Sequence, residues 1–160
     1  MPLALLAIGS VLDANKYNVV IVDGRLETNP MIKIIAALQN NGVCFATTVL
    51  TGSPIKDAVK ISRAVKENFP SIPVVWGGWH PSLFPKQTLD EPSVDVVVKG
   101  QGENTFKELL ERYVSNTSLE GLKGICFKLN GVYIENAERA MEDINSFSPF
   151  NYDLIDVNGY

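Results

Sequence analysis

The sequence predicts an α/β domain in which helices cover both faces of a parallel sheet. Four apolar runs have the length and flanking turn residues of strands buried on both faces: 18–23, 43–50, 72–76 and 94–99. Three further segments place apolar side chains at helical spacing: 30–40, 54–69 and 103–113. Strands that alternate with helices of this length favour parallel strands joined by crossover helices.

Local signals mark where two of these helices begin and end. Asn40-Asn41-Gly42 is typical of the residues that end a helix. Pro54 falls in the first turn of the next helix, and Ser53 before it is the predicted N-cap. Helix capping alone, without any part in a ligand site, is therefore also a sufficient explanation for Ser53 and the nearby Thr51.

The pattern changes after the third helix. Residues 124–129 and 132–134, joined by Asn130-Gly131, predict a β-hairpin with a tight turn. The last stretch, 140–160, is acidic and weakly periodic. We therefore expect a domain over residues 1–139 and, over 140–160, a linker toward another domain.

The first segment is the least regular part of the predicted domain. Residues 3–8 have the composition of a strand, but only residues 9–18 would separate them from the next strand. A parallel crossover needs about a dozen residues or more. Pro2 in a first helical turn favours a helix over residues 2–14 instead. The strand that normally precedes such a helix is then missing.

Composition excludes several classes of function. The 160 residues are 46% hydrophobic and 20% charged, as in an ordinary globular domain. The net charge is -4 with both signs interspersed, so no basic stripe for nucleic acid is present. The apolar run 3–8 is too short to cross a membrane. Cys44 and Cys126 predict buried thiols in a reducing cytoplasm, and two cysteines cannot hold an iron–sulfur cluster.

Three glycine-bearing loops predict a ligand site. Residues 48–53, 77–82 and 100–103 each follow a predicted strand, and ligands of parallel sheets bind beyond the carboxyl ends of the strands. Glycine and small polar groups let a ligand approach the backbone. Neither GxGxxG after a strand nor GxxxxGK[ST] occurs, and Lys99 and Lys86 are the few basic residues nearby. A large ligand with few anionic groups fits this pattern better than a nucleotide.

Several segments together resemble the N-terminal cobalamin-binding domain of cobalamin-dependent radical S-adenosylmethionine enzymes. They are the "VVIVD" run, the "VLTG" of residues 49–52, "VVWGGWHPSLFP" and "VVVKGQGENTFKELL". The resemblance implies a Rossmann-like (flavodoxin-like) three-layer fold and cobalamin as cofactor. Gln101 departs from the Gly-Glu-Gly-Glu that the family usually has in the last loop.

The resemblance also implies which residues contact the cofactor. Thr48 and Leu50 match the Ser-x-Leu that follows the third strand, and Gly77-Gly78 match the double glycine after the fourth. The small side chain and bare backbone would admit the dimethylbenzimidazole tail, over which the last loop would close. The implied cofactor-binding residues are Thr48, Leu50, Thr51, Gly52, Gly77, Gly78, Trp79, His80, Gly100, Gly102 and Glu103.

Two motifs of related enzymes do not occur. Without DxHxxG, a histidine beneath cobalt is not supported, and no residue is assigned as a metal ligand. Without Cys-x3-Cys-x2-Cys, a 4Fe-4S cluster and S-adenosylmethionine belong to a domain outside these residues. We therefore expect the chain not to be catalytic alone, but to serve a radical SAM catalytic domain or subunit that carries out methyl transfer or related radical chemistry.

Simpler interpretations stay open at this point. His80 can organise its loop or contact the cofactor tail rather than ligate cobalt, and Gly77-Gly78 can be only a tight turn. Trp76 and Trp79 can pack and stiffen, while Glu103 suits the N-terminus of any helix. Two other functions also remain. One is a cofactor-free domain that forms a homodimer through exposed sheet edges, and the other is a flavodoxin-like nucleotide binder or receiver using Asp23.

Overall fold

A computed structural model describes all 160 residues as a layered α/β domain. In chain order, its helices and strands are α1 (Leu3–Ser10), α2 (Pro30–Gln39), β1 (Phe45–Thr48), α3 (Pro54–Asn68), β2 (Val74–Gly77), α4 (Trp79–Leu83), α5 (Pro85–Leu89), β3 (Val96–Val98), α6 (Glu103–Ser115), β4 (Ile125–Leu129) and β5 (Val132–Glu135). Three short 3-10 turns follow at Ile144–Ser146, Tyr152–Leu154 and Val157–Gly159. None of the helices is long and apolar enough to span a bilayer.

The strands form one five-stranded sheet in the order β1-β2-β3-β4-β5. β1, β2 and β3 are parallel, which confirms the predicted parallel sheet, and β4 and β5 extend it as antiparallel strands. The predicted hairpin is confirmed as well. Its turn residues Asn130 and Gly131 have φ values of 52° and 80°, as a type I′ turn requires.

Alternate side chains of the strands enter two separate apolar clusters. Val74 and Trp76 of β2 pack on the face that α2 and α3 cover, whereas Val75 packs on the face of α6. The Trp76 indole N–H donates to Ser62 Oγ at 2.9 Å, so this tryptophan is a core residue. Each fully buried Val or Leu contributes roughly 1.5–3 kcal/mol. The sheet is thus held from both faces.

The predicted strand at 18–23 does not form. Residues 18–22 make no backbone hydrogen bond, although Val19 and Ile21 lie against Gly9 of α1 and Val22 packs on the opposite cluster. In the flavodoxin-like order 2-1-3-4-5, the strand before the first helix lies between this segment and β1. That strand is missing here, so residues 18–22 have no neighbour with which to pair.

Three smaller expectations also need correction. α1 ends at Ser10 rather than near residue 14, because the Asp13 carboxylate accepts the Asn15 N–H in an Asx turn that competes with the helix. Ser53 precedes α3, but its side chain makes no capping hydrogen bond. Residues 79–82 were expected to be loop, yet they lie in α4, and α5 follows as a second short helix that was not predicted.

Residues 140–160 turn back onto the domain. The Asn151 N–H donates to Ser10 Oγ at 2.8 Å, and the Tyr160 hydroxyl donates to the Asp23 carboxylate at 2.7 Å. The Leu154 side chain lies beside Gly9 of α1. We refer to residues 140–160 as the tail; their role as a linker stays a prediction.

Candidate functional site at the carboxyl ends of the strands

The structure brings the three predicted loops together at one edge of the sheet. The His80 N–H donates to the Val49 carbonyl at 3.0 Å and so joins the first loop to the second. Ser82 Oγ donates to the Gly78 carbonyl at 2.8 Å and accepts the Gly100 N–H at 3.0 Å, which joins the second loop to the third. We call this joined edge, residues 48–53, 77–82 and 100–103, the rim. Ser82 is its central link, a role that sequence reasoning missed.

Gly78 is the tightest point of the rim. Its φ is +92°, and a Cβ there would lie 2.6 Å from Thr48 Oγ1 and 3.0 Å from the Val49 nitrogen. Only glycine fits such a position without strain. The space beside Gly78 is therefore filled by the neighbouring loop. At Gly77, by contrast, the nearest heavy atom to an added Cβ would be the Val98 carbonyl oxygen at 3.8 Å, an ordinary contact.

Other positions of the rim are open. A Cβ at Gly100 would meet nothing within 4 Å, and one at Gly52 would meet only Pro54 Cδ at 4.0 Å. Leu50 and Trp79 are 61% and 66% exposed, large values for apolar side chains. Bare backbone and apolar surface together are what an extended, largely uncharged ligand can cover.

His80 stabilises the rim through contacts of its buried side chain. It is buried, its Nδ1 lies 3.4 Å from Thr51 Oγ1, and its ring packs against Phe84 with centroids 5.3 Å apart. These contacts account for the histidine as a residue that organises its loop. No group of three or more His, Cys, Asp or Glu side chains is placed to hold a metal ion.

Glu103 supplies an unsatisfied acceptor. It begins α6, directly after Gly102, whose backbone is packed against Ile8 and Val98. The Glu103 Oε2 atom is buried and has no hydrogen-bond partner. Buried carboxylate oxygens normally accept hydrogen bonds, and leaving one unpaired costs stability. This atom therefore marks a place where a donor from a ligand would be favourable.

The side chains of Gln101, within the rim, and Lys99, next to it, form hydrogen bonds to groups outside the rim. Gln101 accepts the Glu142 N–H at 2.7 Å and donates to the Glu142 carbonyl at 3.2 Å, so it fastens the tail. Lys99 donates to the Glu135 carboxylate. Burial lowers the pKa of Lys99, but Glu135 and neighbouring charges outweigh this effect and the pKa is raised. Neither side chain is free to bind phosphate, in line with a ligand that has few anionic groups.

Comparisons with known proteins agree with this geometry. Residues 1–110 match the family model of the B12 binding domain. The chain is 29% identical to an uncharacterised methyltransferase of Pyrococcus horikoshii, covering 99% of this chain and 35% of that protein. It is 26% identical to an anaerobic magnesium-protoporphyrin IX monomethyl ester cyclase of Synechocystis, covering 99% and 32%. The chain thus spans about a third of the length of these relatives.

Solved structures share the fold. The radical S-adenosylmethionine methyltransferase TsrM from Kitasatospora setae superposes with a TM-score of 0.73 at 18% identity, over 85% of this chain and 27% of that one. The cobalamin-dependent S-adenosylmethionine radical enzyme OxsB gives 0.73 at 21%, over 88% and 20%. Because the family model covers more than half of the residues, this chain belongs to the B12-binding domains, whose cofactor is cobalamin, and it resembles those of cobalamin-dependent radical SAM enzymes.

Proposed function

We propose that the rim binds cobalamin and that the domain presents it to a radical SAM catalytic domain, in the same polypeptide or in a separate subunit. The curated relatives that support this proposal are a methyltransferase and a cyclase about three times as long as the region they share with this chain. Cobalamin, when bound, supplies a methyl group or electrons at its cobalt. The chain's own part is to bind and orient the cofactor.

The proposal is carried by an open backbone at Gly100 together with an unsatisfied acceptor on Glu103, both in the segment that leads into α6. Gly100 leaves room above the loop, and Glu103 Oε2 lies buried without a partner three residues further on. Cobalamin carries amide and hydroxyl donors on its periphery, which suit such an acceptor. Leu50 and Trp79 would cover apolar parts of the cofactor. The residues present therefore fit the group.

The remaining predicted contacts divide into two sets. Thr48, Thr51 and Gly52 belong to the first loop and are proposed to contact the cofactor directly. The others shape the rim by packing, and their part in binding is proposed to be mainly indirect: Gly77, Gly78, His80 and Gly102.

Spectroscopy with a matched pair of variants tests the proposal. The full chain is mixed with hydroxocobalamin and desalted, and we expect the visible spectrum of bound cobalamin to be retained. Gly100→Trp should abolish retention because the indole would cover the open loop. Gly131→Trp is the control, since Gly131 has a similar φ of +80° and equally open surroundings but lies in the β4–β5 turn. Retention by Gly100→Trp would show that the cofactor binds elsewhere.

Three further expectations also stay proposals. Cys44 and Cys126 are both free thiols, which supports a reducing, cytoplasmic setting. The division into a domain over 1–139 and a linker over 140–160 predicts that protease cleaves first after residue 139. A homodimer through exposed sheet edges would appear in sedimentation velocity as a mass that rises with concentration.

A further inference from the structure

β5 is the last strand of the sheet, and no strand pairs with the backbone groups on its outer side. The Asn136 N–H donates to the Ile125 carbonyl at 3.1 Å, so Asn136 and every second residue before it direct their backbone groups to β4. In an antiparallel pair, the residues between them point the other way. The N–H and C=O groups of Tyr133 and Glu135 are therefore directed outward from the sheet.

A groove lies beside this strand, between β5 and the segment that contains α4 and α5. Its volume is about 510 Å³, and it is open to solvent. Tyr133 and Glu135 line it from β5, and residues 83–87 and 90 line it from the other side. Leu83 and Phe84 are 54% and 46% exposed there, although both side chains are apolar. We call residues 83–87, 90, 133 and 135 the β5 groove.

An open strand edge beside a groove is suited to an extended peptide. The peptide backbone bonds to the edge strand, and every second side chain of the peptide enters the groove. A small molecule could fill the same space, but it would leave the outward backbone groups of Tyr133 and Glu135 unpaired. An apolar side chain of the peptide would cover Leu83 and Phe84 and remove their surface from water.

The charges of the β5 groove favour an acidic side chain as well. Both carboxylates of the groove are already paired, Glu135 with Lys99 and Asp90 with Lys128 at 3.7 Å. Lys86 is exposed and forms no ion pair within the chain. A carboxylate of the peptide can therefore pair with it. β5 of a second copy offers no such group, since its one carboxylate is that same paired Glu135.

We propose that the β5 groove binds an extended segment of a partner protein, which adds to β5 as a further strand. The segment has about five residues, with an apolar and an acidic side chain at alternate positions on the groove side. The apolar side chain covers Leu83 and Phe84, and the carboxylate pairs with Lys86. Cobalamin at the rim is not needed for this binding, which uses other residues.

A synthetic peptide tests the proposal with the full chain. The probe is acetyl-Ser-Glu-Thr-Leu-Thr-Glu-Ser-amide. Its leucine has a glutamate two residues away on either side, so a carboxylate can reach Lys86 whichever way the peptide runs. Exchange of backbone amides with water is followed by NMR. We expect the probe to slow exchange of the Tyr133 and Glu135 amides by about tenfold or more. The amides of residues 18–22, which also lack backbone hydrogen bonds, should stay unchanged.

Two controls separate strand pairing from charge. Replacing both threonines of the peptide by proline removes N–H donors and prevents strand pairing, so this peptide should have no effect. Lys86→Glu should weaken binding of the probe about fivefold, because an exposed attraction becomes a repulsion. Lys60→Glu makes the same change at an exposed position of α3 and should leave the affinity unchanged.

Several outcomes would overturn the proposal. Unchanged exchange at millimolar probe, or equal binding of the proline peptide, would show that no strand adds to β5. Equal affinity in Lys86→Glu would show that the groove does not recognise an acidic side chain. Slow exchange of Tyr133 and Glu135 in the free chain, increasing with protein concentration, would show that a second copy occupies β5 instead. Cobalamin retention, measured in the same samples, reports separately on the rim.

Discussion

The rim differs from the unpaired edge of the sheet, residues 18–22 and the outer side of β1, in how many of its polar groups form hydrogen bonds. At the rim, backbone and hydroxyl groups of three loops bond to one another through His80 and Ser82. Along the unpaired edge, the backbone of residues 18–22 forms no hydrogen bond, and Ala46 and Thr48 of β1 direct their backbone groups away from β2. The loops proposed to hold a cofactor are thus joined to one another although the edge of the sheet beside them is unpaired.

The largest expected effect comes from breaking the rim at its tightest contact. Gly78→Ala should lower the free energy of unfolding by about 3 kcal/mol, because the new Cβ overlaps Thr48 at a φ of +92°. Urea unfolding measures the change. Gly77→Ala is the matched control and should cost less than about 1 kcal/mol, since its Cβ meets only an ordinary contact. Equal losses in the two variants would mean that the loops are not joined at Gly78.

The next effect concerns binding rather than stability. Glu103→Gln should weaken cobalamin binding about tenfold, because a carboxyl oxygen that accepts the ligand's hydrogen bond is replaced by an amide group. Titration monitored by the visible spectrum measures the affinity. Glu111→Gln changes a carboxylate further along α6 and should leave the affinity unchanged. If Glu103→Gln bound cobalamin as tightly as the parent, the unsatisfied Oε2 atom would not belong to the binding site.

The two regions also differ in how far sequence could predict them. The valine-rich strands and the Asn130-Gly131 turn carry local signals, and the glycine loops follow strand ends, so the rim could be expected. The sequence could not show that residues 18–22 stay unpaired, because an apolar run forms a strand only if a neighbouring strand is there to bond with it. Ser82 and the buried oxygen of Glu103 depend on tertiary contacts that no local pattern encodes. The start of α4 was expected to be loop because residues 79–82 directly follow a strand end and the double glycine Gly77-Gly78.

A smaller effect tests how the tail supports residues 18–22 at the unpaired edge. Asp23 follows that segment, and its carboxylate accepts hydrogen bonds from Arg25 and from the Tyr160 hydroxyl of the tail. The Arg25 guanidinium, together with Tyr160, holds the pKa of Asp23 well below its ordinary value. Such a carboxylate stabilises the fold above its unfolded pKa of about 3.9 and loses this contribution as the pH falls toward its lower folded pKa.

Asp23→Asn should therefore be less stable than the parent by no more than about 1 kcal/mol at pH 7, since Arg25 is largely exposed and solvent screens the pair. Unfolding in urea at pH 7, 4 and 3 should show the difference shrinking as the pH falls. Asp153→Asn, at an exposed position of the tail, should show no such trend. A constant difference across this range would mean that the carboxylate charge is not what holds the segment.

The smallest effect lies near the start of β1 and has the opposite sign. The Tyr113 hydroxyl is buried without a hydrogen-bond partner; burial and the nearby Cys44 raise its pKa. Tyr113→Phe removes an unsatisfied group and keeps the ring, so the free energy of unfolding should stay equal or rise by up to about 1 kcal/mol. Tyr133→Phe should instead lower it by about 1 kcal/mol, because that hydroxyl lies within hydrogen-bonding distance of Cys126 and Glu135. If Tyr113→Phe were as destabilising as Tyr133→Phe in urea unfolding, the Tyr113 hydroxyl near the start of β1 would form a hydrogen bond, as the polar groups of the rim do. The contrast between the two regions would then fail.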